Sequence, residues 1–163
     1  MKGRKINKLL HLFLMLLIIQ ACSNQSSQLS AEERTTIVDS VNTMLNNYYD
    51  DIRKEGLLAE FNYLDSSDQF FWVPPGYRSA LSYDSVAAIL RRNALALKSV
   101  DNTLETSRVI PLDHDLAIYT ITLRSVVTDT AGHVFTSSLI ESGTVVKRAD
   151  GWKLLSGQTA VVD

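Results

Sequence analysis

Glu141 is the ionisable side chain of this sequence that is best suited to proton transfer. It shares strand parity with Phe135, Leu139 and Val145 in a segment predicted to be a β-strand. If that face lines an apolar cavity, desolvation raises the pKa of the carboxyl, and the group can act as a general acid or base near neutral pH. The opposite parity is also partly apolar, and Gly143 is a candidate bulge that would reset the alternation. A solvent-facing Glu141 is therefore the alternative.

A group of aromatic side chains offers a second kind of chemistry, the binding of a flat apolar molecule. Tyrosine and tryptophan combine a large contact area with one polar group, which suits a pocket that orients its ligand through a few hydrogen bonds. Core packing is the alternative interpretation for at least half of these aromatic residues. The predicted ligand-binding residues are Trp72, Tyr77, Tyr119, Glu141 and Gln158, with Tyr48 in reserve.

The remaining polar residues predict no metal site, no cofactor and no acyl-transfer centre. His114 and His133 occur in two different predicted turns, and neither belongs to a metal-ligand spacing. Asp65 and Asp68 are interpreted as caps or turn acceptors. The sequence contains neither a Gly-x-Ser-x-Gly elbow nor a glycine-rich phosphate loop. Without an identifiable acid-base pair, we expect binding rather than turnover, and catalysis by Glu141 is the weaker hypothesis.

Length, composition and charge predict one folded domain that does not bind nucleic acid. The chain has 163 residues, of which 45% are apolar and 21% charged, as in a single globular domain. Four of its 16 basic residues lie in the first 21 positions, which contain no acid. Without that segment 12 basic and 18 acidic residues are left, a formal charge of about -6. An acidic domain repels phosphates, which disfavours DNA and RNA as partners.

The N-terminus predicts export and lipid attachment. Basic residues precede the stretch from Leu9 to Ile19, which is apolar except for one histidine and too short to span a bilayer. The following Ile19-Gln20-Ala21-Cys22 resembles the bacterial lipobox, which implies cleavage before Cys22 and lipidation of its thiol. We expect a signal peptide over 1–21, a lipidated Cys22 with a flexible tether over 22–29, and a domain over 30–163 on a membrane of the bacterial cell envelope, facing the periplasm or exterior. A plain signal peptide cut near Ala21 is the alternative.

The hydrophobic pattern predicts helices first and antiparallel strands afterwards. Ser30 and Glu33 form a capping-box pattern for a helix that ends near Gly56. A short helix over 57–64, a strand over 69–73 and a helix capped by Ser82 or Asp84 follow. From residue 100 the period changes to two, predicting strands over 103–110, 116–128, 133–147 and 152–162. This order is typical of an α+β domain with helices packed on one face of a curved sheet.

The order and lengths of these elements resemble the nuclear transport factor 2-like superfamily and, within it, the SnoaL-like group. The local matches are Tyr63-Leu64-Asp65-Ser66-Ser67-Asp68, the Pro74-Pro75-Gly76 turn, and Asp150-Gly151-Trp152-Lys153-Leu154. The resemblance implies a cone-shaped fold in which the bent, mainly antiparallel sheet and the helices enclose a pocket. Members include isomerases, dehydratases and hydrolases as well as proteins without known chemistry, so the fold alone assigns no activity. Many SnoaL-like sequences carry a histidine toward the last strand, where this chain has Ser156-Gly157-Gln158-Thr159.

Two functions and one mode of assembly are expected from these observations. The preferred function is a lipid-anchored envelope protein whose domain binds a small, mostly apolar ligand, or a partner, in the pocket. The alternative is an isomerase, dehydratase or hydrolase in which Glu141 moves a proton and Tyr119 or Tyr77 stabilises an oxyanion. Because sheets in the superfamily often pair, a homodimer through the sheet is a further expectation.

Overall fold

The computed structural model describes residues 28–162. The predicted signal peptide over 1–21 and the predicted lipidation site at Cys22 lie outside the described residues, as does most of the predicted tether. Its last residue, Leu29, is buried and belongs to the hydrophobic core. Core packing within the described residues therefore includes one residue that precedes the expected domain boundary at Ser30.

The first helix, α1, spans Ala31–Glu55 and begins with the predicted capping box. The Ser30 amide donates to Glu33 Oε2 at 2.8 Å, and the Glu33 amide donates to Ser30 Oγ at 3.2 Å. These bonds satisfy two donors that a helix start otherwise leaves unpaired. The helix ends at Gly56, whose φ of 91° is accessible mainly to glycine. One face of α1, with Val41, Leu45 and Ile52 at its centre, is fully buried.

The remaining elements follow in the predicted order, and three of them differ in extent by two residues or more. A 3₁₀ helix covers Leu57–Asn62, and the strand expected over 69–73 is shorter, with β1 at Phe71–Val73. Helix α2 begins after Ser82, the N-cap, and leads directly into a strand that is longer than the predicted 103–110. The bounds are α2 Tyr83–Ala96, β2 Leu97–Asp113, β3 Leu116–Asp129, β4 Val134–Arg148 and β5 Gly151–Val161.

The five strands form one sheet in the order β1-β5-β4-β3-β2. β1 pairs in parallel with β5, and the other neighbours are antiparallel. The predicted alternation in β3 is confirmed, because Ala117, Tyr119, Ile121 and Leu123 are all buried on one face. That face packs against α1, so the predicted α+β class with helices on a curved sheet is confirmed.

An extra residue in β5 reverses its alternation half-way along the strand. Thr144 pairs with Ser156, but the next residue of β4, Val145, pairs with Leu154, so that Leu155 has no partner of its own. A bulge of this kind moves every later side chain to the opposite face. Leu154 is buried before the bulge, and Thr159 faces inward after it. Gly143, the candidate bulge position of the sequence, keeps its register in β4.

Candidate functional site

A cavity of about 250 Å³ lies between the helices and the inner face of the sheet. Its wall is mostly aliphatic and aromatic, and it includes two carboxyl side chains, Glu60 and Glu141. No lysine, arginine or histidine of residues 28–162 lines it. The polar and aromatic lining residues are Tyr48, Tyr49, Glu60, Phe70, Trp72, Asn93, Asn102, Glu141 and Thr159.

Glu141 is the best supported polar side chain of the cavity wall. It is only 5% exposed, and three hydroxyl groups donate to its carboxyl. Tyr119 and Tyr49 donate to Oε1 at 2.7 and 3.1 Å, and Thr159 donates to Oε2 at 3.0 Å. The Thr159 hydroxyl in turn accepts from Trp72 Nε1 at 3.1 Å. These donors come from α1 and three strands, and they replace the water that solvates an exposed carboxylate.

Two glycines make room for the aromatic members of this network. Trp72, Gly157, Gly143 and Tyr119 are successive partners across β1, β5, β4 and β3. A Cβ atom on Gly157 would lie 2.7 Å from Trp72 Cη2, and one on Gly143 would lie 3.2 Å from Tyr119 Cε1. The two rings therefore lie over the bare backbone of neighbouring strands. From there they reach diagonally to residues two positions further along, namely Thr159 and Glu141.

Burial and hydrogen bonding act in opposite directions on the Glu141 carboxyl. Desolvation raises its pKa, and the hydrogen bonds from Tyr119, Thr159 and Tyr49 lower it, with burial prevailing. Burial, together with the negative charge of Glu141, raises the pKa of the Tyr49 and Tyr119 hydroxyls well above the ordinary value. Both tyrosines are therefore protonated at neutral pH and serve as donors.

Glu60 was not among the predicted site residues. It lies in the 3₁₀ helix, half-buried, and lines the same cavity as Glu141. Burial raises its pKa to about 8; a hydrogen bond from the Tyr48 hydroxyl lowers it, and the charge of Glu141 raises it further. A single acid between apolar neighbours, in Leu57-Leu58-Ala59-Glu60-Phe61, is the sequence signal that could have identified it.

The structure brings four of the six candidate residues together. Trp72, Glu141 and Tyr48 line the cavity. Tyr119 is buried beside Glu141 and supports its carboxyl. Tyr77 does not line the cavity, because it is 41% exposed in the turn after β1. The prediction that Tyr77 binds the ligand or stabilises an oxyanion there is therefore corrected.

Gln158 also lies outside the cavity, and the β5 bulge explains why. The residue is exposed and belongs to a groove on the outer face of the sheet, whereas its neighbour Thr159 faces inward. If the alternation of β5 is counted without the extra residue, Gln158 is assigned to the inner face and Thr159 to the outer face, which is the reverse of their true positions. The inward hydroxyl of Thr159 was therefore missed.

The outer groove has a volume of about 510 Å³, and its surface combines apolar side chains and hydroxyls with Arg108 and Gln158. Phe71 and Ile118, which are 49% and 38% exposed, contribute to its apolar part. The groove lies on the face through which the homodimer is expected, and that assembly stays a prediction.

The histidines and the turn aspartate considered in the sequence lie in turns or ion pairs outside the cavity. His133 is exposed and its Nδ1 lies 2.9 Å from Asp129 Oδ2, while His114 lies in the turn between β2 and β3. Asp65 is buried; it accepts from the Ser67 amide at 3.0 Å, as expected of a turn acceptor, and also from Arg148. Within residues 28–162 no group of three or more potential ligands could hold a metal ion. In the same part of the chain, no helix is both long and apolar enough to cross a membrane.

Comparison with known proteins decides the fold. No protein-family model and no curated protein matches the chain. Among solved structures, a nuclear transport factor 2-like superfamily protein from Salmonella enterica matches with a TM-score of 0.67 and 12% identity, over 79% of this chain and 93% of that one. The chain has the nuclear transport factor 2-like fold.

Two further structures share this fold. A hexachlorocyclohexane dehydrochlorinase, LinA type 2, matches with a TM-score of 0.65 and 10% identity, over 82% of this chain and 90% of its own. A ketosteroid isomerase-like protein from Erwinia carotovora atroseptica matches with a TM-score of 0.59 and 18% identity, over 77% of this chain and 95% of its own. At these identities the likeness concerns the fold, and activity has to be argued from the site.

Proposed function

We propose that this domain binds a small, mostly apolar molecule in the interior cavity and is held at a bacterial envelope membrane by a lipid on Cys22. The observation that carries the binding function is the cavity itself. An apolar wall with a few buried polar groups that already have partners is typical of ligand pockets, and Glu141 with its three donors is such a group. A carboxyl beside an apolar void costs stability unless it is hydrogen-bonded, and a ligand that uses Glu141 would explain why the chain builds this network.

Thermal-shift measurements on the full chain in detergent test the binding function. A library of small aromatic and aliphatic molecules is screened for compounds that raise the melting temperature. A ligand at about 100 times its Kd stabilises the folded state by about 2.7 kcal/mol, which is readily measured. If no class of compound raises the melting temperature, docking of a partner becomes the better account.

Two adjacent residues of β4 provide a matched pair of variants for any compound that binds. Leu139 lines the cavity, whereas Ile140 is 39% exposed and points to the other face. Leu139→Phe adds volume inside the cavity and should weaken binding strongly, while Ile140→Phe makes the same change in bulk outside it. Equal affinities in the two variants would place the ligand elsewhere.

Lipid attachment is tested by expressing the full chain in a bacterium that processes lipoproteins. The wild-type protein should incorporate labelled palmitate and partition into the detergent phase, and Cys22→Ala should do neither. A wild-type product that is cleaved yet unlabelled would support the plain signal peptide instead.

A second candidate function is proton transfer on the bound molecule. It is favoured by two carboxyls, Glu60 and Glu141, whose pKa values are raised and which line one cavity. A dehydrochlorinase and a ketosteroid isomerase-like protein share the fold. Cyclohex-3-enone is a suitable small probe, because moving its double bond into conjugation requires proton removal and return and changes the ultraviolet absorbance. Wild-type protein should accelerate this isomerisation and Glu141→Gln should not; a wild-type rate equal to buffer would exclude this reaction.

A further inference from the structure

Among the described residues, the ionisable side chains in the wall of the interior cavity are carboxyls and tyrosine hydroxyls, with no base. Its lining includes the carboxyls of Glu60 and Glu141 and the amide of Asn102, and within residues 28–162 no cationic side chain reaches it. Glu141 is supplied with donors by its own hydroxyl network. Glu60 has a hydrogen bond from Tyr48 and no cation nearby among the described lining residues. Acceptors that lack donors call for a ligand that supplies N–H or O–H groups.

Asn102 shows this shortage most directly. Its Oδ1 atom is buried and has no hydrogen-bond partner among the residues that the structure describes. Buried side-chain oxygens nearly always have a partner, and leaving one unpaired is costly. Asn102 lines the cavity, but its Oδ1 atom has almost no accessible surface. A turn of the amide toward the cavity would let a donor on a bound molecule remove that cost.

Aromatic rings form much of the remaining wall and favour the same kind of ligand. Tyr48 and Tyr49 pack with ring centroids 4.6 Å apart, and Phe70 and Trp72 lie on the same cavity. The faces of aromatic rings attract cations, most strongly where water is excluded. The wall therefore combines aromatic rings and carboxyls with the amide of Asn102.

We propose that the interior cavity selects a small organic amine, a primary or secondary ammonium on a compact apolar body, with Glu60 as the main partner of its charge. This inference rests on the proposed binding function and specifies its ligand class. Burial disfavours the ionised form of Glu60 as long as no opposite charge is near. An ammonium stabilises that ionised form and supplies several N–H donors. The apolar body occupies the aliphatic part of the wall.

The test uses three molecules that share one ring and differ in charge: benzylamine, benzyl alcohol and benzoate. Their affinities for the full chain in detergent are measured by titration calorimetry at pH 7.5, with detergent alone as the blank. We expect benzylamine to bind at least about tenfold more tightly than benzyl alcohol, and benzoate to bind most weakly. In Glu60→Gln the preference for benzylamine should disappear while benzyl alcohol still binds. Glu105→Gln, an equal change at an exposed site of β2, should keep the preference.

The outcomes separate this inference from the proposed function. If benzyl alcohol or benzoate binds as well as benzylamine, selection of a cation is wrong although the cavity binds ligands. If the preference persists in Glu60→Gln, Glu60 is not the partner of the ammonium and the inference is overturned. If none of the three binds, the inference is overturned, and the library screen still decides the proposed function. Should Glu60→Gln not fold, the three affinities of the wild-type protein decide the question.

Discussion

The two faces of the sheet carry polar side chains at alternating positions of the same strands and place them in different surroundings. On the inner face, Glu141 is 5% exposed and receives three hydroxyl hydrogen bonds beside an apolar cavity. On the outer face, Thr120 and Ser142 share a 2.8 Å hydrogen bond next to a larger groove, where neither is fully buried. The polar groups of the inner face are thus acidic, hydroxyl or amide groups in a dry environment. Those of the outer face are mainly hydroxyls, together with Arg108 at the groove, and water reaches them. Burial makes the inner carboxyl costly, and the same burial suits it to recognise a ligand.

The largest loss of stability is expected when either glycine beneath the aromatic rings, Gly143 or Gly157, is replaced by alanine. A Cβ atom on Gly143 would lie 2.4 Å from the Ser156 carbonyl oxygen, and one on Gly157 would lie 2.6 Å from the Ser142 carbonyl oxygen. Backbone cannot move aside as a side chain can, so either substitution by alanine should lower the free energy of unfolding by about 3 kcal/mol. Denaturant unfolding measures this loss. Ser142→Ala, on the other face, is the control, and an equal loss there would contradict the contrast.

The dependence of stability on pH should be the next largest effect. The pKa of Glu60 rises from 4.5 to about 8 on folding, so the folded state holds this proton more tightly than the unfolded state. Its contribution to stability is complete below pH 4.5 and is lost as the pH rises toward 8. The free energy of unfolding should therefore fall between pH 5 and pH 8, by about 2 kcal/mol once the partial exposure of Glu60 is allowed for. Glu141, whose pKa is also raised, acts in the same direction.

Unfolding midpoints in urea at pH 5, 6.5 and 8 measure this slope. Glu60→Gln should flatten it, whereas Glu105→Gln at the exposed site should leave it unchanged. A wild-type protein that is as stable at pH 8 as at pH 5 would show that the cavity is not a dry environment for carboxyls.

A smaller effect is expected from the indole hydrogen bond that links Trp72 to Thr159. Trp72→Phe removes the donor and part of the ring, and should lower the free energy of unfolding by about 1 to 2 kcal/mol. The neighbouring residue Phe71 is 49% exposed on the opposite face. Phe71→Leu should therefore change stability by no more than about 0.5 kcal/mol, and thermal unfolding of the two variants compares the faces directly.

The smallest effect should come from the hydroxyl pairs of the outer face. Thr106 Oγ1 and Thr122 Oγ1 are 2.7 Å apart in an exposed position, where water can replace either partner. Thr122→Val should change the free energy of unfolding by less than about 0.5 kcal/mol. Leaving one buried polar group unpaired costs about 2 kcal/mol. A loss of that size in Thr122→Val would mean that water does not reach the outer face.

The fold could be predicted from the sequence where local signals agreed with one another. The capping box at Ser30 and Glu33, the alternation in β3 and the change of period near residue 100 each specify an element by itself. The structure confirms these elements and the α+β class. The early start of β2 at Leu97 was missed, because helix α2 leads into the strand without a turn residue to mark the change.

The site could be predicted only in part, because its members are brought together over long distances in the sequence. Strand parity grouped Glu141 with Phe135, Leu139 and Val145, and of these Leu139 and Val145 lie inside whereas Phe135 is 60% exposed. The hydroxyl of Tyr49 reaches Glu141 from a position 92 residues earlier. No local pattern encodes that approach. Thr159 was missed because one unpaired residue in β5 exchanged the two faces, and Glu60 because it lies in a 3₁₀ helix, where neither alternation nor the helical period applies.

The location of a bound small molecule tests the central claim most directly, since both faces of the sheet offer a concave surface. Crystals soaked with benzyl alcohol, which carries no charge, probe the cavity independently of any selection for amines. We predict electron density for the ring in the interior cavity, against Trp72 and beside Glu141. Density only in the outer groove, next to Phe71 and Ile118, with an empty interior, would contradict the account.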